Sequence, residues 1–243
     1  METKLFSIIL CLLALEATGS SLKNLTSIQH GTENASARSA PISQPPPVVR
    51  FDFDAYGTLI FTIIYNRILV AEKRNQFAFL MIVRSEAKRF EVPGNLANLL
   101  QSTNYLPSLK TDGVYPPNAR SNLVIAGVGK KPRGASELAY HAEKKLINSM
   151  PTMDRYYDEA YGLICPWLIM LGSAYDTCCG CSIRGYQKCA QRFVAEKEKY
   201  VRQTTCTNII WFVYVGEVRK WSDWQQALLL YTRNNIKTFA LLI

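Results

Sequence analysis

The chain has 243 residues, 48% of them apolar, a size and composition that suit one substantial globular domain with a real core and argue against two large ones. Its formal charge is +9, from 28 Lys and Arg against 19 Asp and Glu. That balance suits a polyanionic partner, whether nucleic acid, glycosaminoglycan or anionic membrane, without choosing among them. Beyond the first residues no apolar run approaches the ~20 residues that a spanning helix needs, so no transmembrane anchor is expected.

The first residues read as a secretory signal over 1–19. Lys4 gives a charged start, Leu5 to Ala14 is an apolar segment of signal-peptide length, and Ala17-Thr18-Gly19 offers small residues for cleavage. Residues 20–50 form a Ser-, Thr-, Asn- and Pro-rich stalk that cannot bury enough apolar area to fold alone. It carries two N-glycosylation sequons, at Asn24 and Asn34, and ends in Pro45-Pro46-Pro47. Signal and sequons together place the protein outside the cell.

From residue 51 to 243 the chain reads as a single folded domain. Ala55 to Val70 suits a buried helix, although its β-branched content also admits a strand. Phe77 to Val83 (FAFLMIV) is a buried-strand pattern. A long loop or short helix is expected through Pro93-Gly94, Pro107 and Pro116-Pro117. Leu123 to Val128 is a second strand, and Lys130-Lys131-Pro132-Arg133-Gly134 a basic turn. Leu138, Ala142, Leu146 and Met150 recur every four residues and predict a helix, which Pro151 should limit. Trp167 to Leu171 is a third strand, Ser182 to Tyr200 a helix, and Asn208 to Val215 a fourth strand. A helix over Trp221 to Thr232 and a strand over Ile236 to Ile243 complete the domain. The segment between the last two strands is long enough for a helical crossover, which would let them lie parallel. The expected class is mixed α/β.

Two motifs carry chemistry. His141-Ala142-Glu143 is H-x-E, and Cys178-Cys179-Gly180-Cys181 contains C-x-x-C. One His and two Cys fill three of the four tetrahedral positions of Zn²⁺ and leave the fourth for water. On this reading His141, Cys178 and Cys181 are the metal ligands. Glu143 is not a ligand but moves protons between that water and a ring nitrogen, as in a nucleobase deaminase. Each motif follows a strand and opens a helix, where side chains tilt toward the N-terminus and can address one point. H-x-E is nevertheless common, and a C-x-x-C pair in a secreted chain is often a disulfide. A nucleophilic Cys165 or Cys178 paired with His141 is a further option, but no protease-like or transferase-like motif surrounds either.

Cys11 would leave with the signal. If Cys178 and Cys181 hold zinc, Cys165, Cys179, Cys189 and Cys206 remain, an even number that permits two disulfides of undetermined pairing.

The order of strand, Trp167 segment, Cys178-x-x-Cys181, helix, strand, aromatic loop, helix and strand resembles the AID/APOBEC-type deaminases, with the signal peptide pointing to their secreted vertebrate relatives. The resemblance covers about 50–243 and is most specific at the two motifs. It implies a five-stranded mixed sheet with helices on both faces and strands four and five parallel. It also implies zinc on His141, Cys178 and Cys181, with Glu143 as proton shuttle. Thr177 stands where the family usually has Pro, and the 34 residues between Glu143 and Cys178 exceed the usual gap, with an insertion expected around Pro151 to Gly162.

In that family the loop after the fourth strand reads bases flanking the target. Here the loop is Gly216 to Trp224, with Arg219, Lys220, Trp221 and Trp224, while Lys130, Lys131 and Arg133 flank the same pocket. Aromatic faces stack on bases and cations hold phosphates. The same residues are equally suited to core packing and solvated surface. The reading is a secreted zinc-dependent cytidine deaminase of single-stranded DNA or RNA, serving defence against foreign nucleic acid if the resemblance extends so far. The alternatives are a non-enzymatic extracellular polyanion-binding protein of the same fold, or a deaminase of free nucleosides or of adenine.

Overall fold

The computed structural model describes residues 51–72, 77–101, 107, 109, 113–127, 141–175 and 189–241, all within one compact unit, Arg50–Ile243. The expected signal, the stalk with Asn24 and Asn34, the basic turn with Lys130, Lys131 and Arg133, and the Cys178 to Cys181 motif lie outside the described residues.

The first helix, α1, spans Phe53–Glu72, and its strand alternative falls away. Asp52 opens it: its carboxylate accepts the Asp54 and Ala55 backbone N–H groups at 3.0 and 2.9 Å, satisfying donors that a helix start leaves unpaired. Tyr56, Ile60, Phe61, Ile64 and Ile68 then fall on one buried face. Strand β1, Phe77–Val83, is buried along its whole length, as its unbroken apolar run requires. A 3-10 helix over Glu86–Phe90 leads directly into α2, Glu91–Gln101. Pro93 is accommodated there because the first turn of a helix needs no N–H donor.

The other strands are β2 (Val114–Tyr115), β3 (Leu123–Gly127), β4 (Leu168–Tyr175), β5 (Ile210–Glu217) and β6 (Ile236–Ala240). They form one six-stranded sheet in the order β2-β3-β1-β4-β5-β6. β1 pairs antiparallel with β3 and β4, whereas β4, β5 and β6 run parallel. The last two strands are therefore parallel, as expected, but the sheet has six strands rather than five. The additional one is the two-residue β2, too short to leave a hydrophobic pattern.

Helices cover both faces. α1 and α2 pack on the side of Phe79, Met170 and Phe212. The opposite side, with Leu80, Leu171 and Val213, is covered by α3 (Ala142–Tyr161), α4 (Cys189–Gln203) and α5 (Trp221–Arg233). Contrary to expectation, α3 runs straight through Pro151, which is solvent-exposed. The segment expected as an insertion is this helix's second half. A proline inside a helix removes one backbone bond. Here Ile147 and Met150 before it, and Met153 and Tyr157 after it, bury one continuous face that holds the two halves in line. Close approach within the sheet depends on Gly172, which stands opposite Phe79 and whose missing side chain makes room for the Phe79 ring.

A disulfide joins Cys165 and Cys206, 41 residues apart, just ahead of the parallel strands β4 and β5. No described helix is long and apolar enough to cross a membrane.

Candidate metal centre

α3 begins as soon as the chain passes His141, its N-terminal boundary residue. Glu143 sits in the first turn and is 2% exposed. It is not left bare in the core: the Ser173 hydroxyl, itself fully buried on β4, donates a hydrogen bond to its Oε1 at 2.5 Å. A hydrogen bond to a charged group contributes about 1.5–3 kcal/mol, enough to matter for holding a buried carboxylate. Two residues on, Lys145 donates through Nζ to the Gly127 carbonyl at the end of β3, at 3.0 Å. Its side chain crosses Gly113, a residue with φ of +70°. The first turn of α3 is thus tied to two strands on either side of β1.

Cys189, the first described residue of α4, completes the group. Its Sγ lies 3.7 Å from His141 Nδ1, and donor atoms of His141, Glu143 and Cys189 all fall within 4.8 Å of one another. These three side chains could hold a metal ion. An imidazole nitrogen and a sulfur are the donors that suit zinc among the common biological cations.

His141 and Glu143 come together as the H-x-E motif requires. Cys189, by contrast, reads from the sequence only as a possible disulfide partner. A lone cysteine 48 residues from its histidine carries no local signal. Cys165 is withdrawn as a candidate nucleophile because it forms the disulfide with Cys206.

Of the residues expected to contact substrate, Arg219 and Lys220 are exposed beside the N-terminus of α5, where Lys220 is the boundary residue. The Arg219 guanidinium stacks 3.2 Å from the centre of the Tyr175 ring, with Glu217 at 3.8 Å. Trp221 is 52% exposed, whereas Trp224 is 3% exposed and belongs to the core, so its ring is taken up by packing rather than turned to solvent.

A second polar cluster lies toward the other end of α3. Asp154 accepts a hydrogen bond from the Tyr200 hydroxyl, and burial raises its carboxyl above the usual 3.8. Burial likewise pushes the Tyr157 hydroxyl up to about 12. The buried Tyr157 hydroxyl and Asp154 Oδ1 have no hydrogen-bond partner among the described residues.

Comparison with protein-family models, curated proteins and solved structures finds no match to the chain.

Proposed function

We propose that this protein is a secreted zinc-dependent deaminase that converts cytosine to uracil in single-stranded polynucleotide. The observation that carries the reading is the meeting of His141, Glu143 and Cys189, with Glu143 held by Ser173. A structural metal site has no need of a buried, positioned carboxylate beside its ligands. His141 and Cys189 would supply two ligands of a zinc ion, and a second thiolate, from Cys178 or Cys181, the third. A zinc ion held there would supply Lewis acidity toward a bound water.

The remaining work falls to the chain's own groups. Glu143 accepts the proton of the attacking water, delivers it to the ring nitrogen, and assists departure of the amine as ammonia. Ser173 fixes the carboxylate during these transfers. Arg219 and Lys220, with the exposed face of Trp221, hold phosphate and stack on a flanking base. The Cys165–Cys206 disulfide supports secretion, because such bonds persist in oxidising compartments.

The same 3.7 Å contact also favours a second reading, in which His141 activates Cys189 as a nucleophile. Cys189 is only 1% exposed, which weighs against attack on a bulky substrate.

The test is uracil formation in single-stranded DNA and RNA oligonucleotides, with zinc content measured alongside. Wild type should deaminate with about one zinc per chain. Glu143→Ala should keep the zinc and lose turnover, while Cys189→Ala should lose both. Zinc-free protein that still turns over a thiol-dependent substrate would favour the nucleophile. Full zinc in Cys189→Ala would remove Cys189 from the ligand set.

A further inference from the structure

A helix packed on a core by one face normally turns charge toward solvent, and α4 does so with Arg192, Glu196, Lys199 and Arg202. α5 does not. Its inner face is satisfied by Trp224, Ala227 and Tyr231 in the core. Its exposed positions carry a single charge, Arg233, and include Trp221, Leu228 and Leu229 at 52%, 36% and 59% exposure. Spaced i, i+7 and i+8, these three lie on one side of the helix along two turns, with the exposed amide of Gln225 between them. Folding has no use for this stripe, since the core is already closed beneath.

The exposed charges at the two ends of the stripe are mainly basic, although Arg219 has Glu217 beside it at 3.8 Å. Arg219 and Lys220 are exposed at its N-terminal end and Arg233 at its C-terminal end. The helix's one acid, Asp223, lies on the far flank, about 200° around the axis from Trp221.

We propose that this face of α5 is a docking surface for an anionic phospholipid bilayer. The helix would lie in the interface, with Trp221 and the two leucines entering the headgroup boundary and the cations meeting lipid phosphates and carboxylates. Charge selects the occupant: a second copy of a chain of net +9 would bring like charges together. The leucines separate lipid from nucleic acid, because an aliphatic side chain offers no face on which a base can stack. The attachment is peripheral; it shares Arg219, Lys220 and Trp221 with the polynucleotide contacts of the deaminase reading, whereas Leu228 and Leu229 belong to the membrane face alone.

The test is co-sedimentation of the full chain with phosphatidylcholine vesicles, with and without phosphatidylserine, together with tryptophan emission. Wild type should sediment with the phosphatidylserine vesicles only, and less at high salt. Its emission should shift to the blue. Trp221→Ser should abolish the shift, since Trp211 and Trp224 are buried and Trp167 is half-buried. Leu228→Ser/Leu229→Ser should weaken binding about tenfold or more, with the far-ultraviolet circular dichroism unchanged. The proposal is overturned if wild type ignores anionic vesicles, or if the double variant binds them as well as wild type. It is equally overturned if light scattering finds a wild-type dimer that the double variant abolishes, or if the double variant loses oligonucleotide binding.

Discussion

Removing the Cys165–Cys206 disulfide should cost this protein a large part of its stability, and the size of the effect can be worked from the chain. The bond spans 41 residues. For a loop of that length the chain-entropy relation gives about 13 cal/mol/K, or about 4 kcal/mol at 25 °C, chiefly by freeing the unfolded ensemble. The variant to make is Cys165→Ser/Cys206→Ala, because Cys165 is exposed and Cys206 is buried. Urea unfolding followed by tryptophan emission compares it with oxidised wild type. With an m-value of about 2–3 kcal/mol/M, the midpoint should fall by about 1.5 M. The m-value itself should rise, since an uncrosslinked chain exposes more surface when unfolded. A loss below about 1 kcal/mol at unchanged m would refute the reasoning and mean that the unfolded chain is already compact across this loop.

Ser173→Ala removes the hydroxyl that holds Glu143, and uracil release should slow about 10- to 100-fold in kcat with KM little changed. Partial rescue by Ser173→Thr would mark the hydroxyl itself as the cause. Gly172→Ala places a methyl group against the Phe79 ring, and calorimetry should show a destabilisation of about 1–3 kcal/mol. Asp154→Asn should stabilise the fold at neutral pH. Burial raises this carboxyl above 3.8, so its contribution is fully present below that pH and lost as pH rises through the raised value. The stability difference between wild type and Asp154→Asn should therefore shift in favour of wild type as pH falls toward 4, measured by urea midpoints across the range.

The strands that were plain in the sequence were those buried on both faces. FAFLMIV at 77–83 and LVIAG at 123–127 have no polar residue to break the run, and burial alone identifies them. β2 could not be seen, because two residues ahead of a Pro-Pro pair carry no period. The length of α3 is hidden for a different reason. Proline is a local veto, while the Met153 and Tyr157 packing that overrides it is tertiary. In the centre itself, His141 and Glu143 were legible because their spacing is short. Cys189 reaches the centre only through the packing of α4 against α3. Ser173 did leave a trace: a hydroxyl within the buried run LIMLGSAY demands a partner in the core, and that partner is Glu143.

The two ties at the start of α3 have a consequence for how this protein can change over time. Glu143 and Lys145 leave the helix about 200° apart and are anchored to different strands, so together they set its rotational phase. A one-residue insertion between His141 and Lys145 would turn the helix by about 100° and could not satisfy both anchors at once. Length variation is far easier to absorb beyond Pro151, two turns downstream of the pins, where a shifted helix end re-aims nothing. The aim of the centre and the reach of its supporting helix are thus separately adjustable.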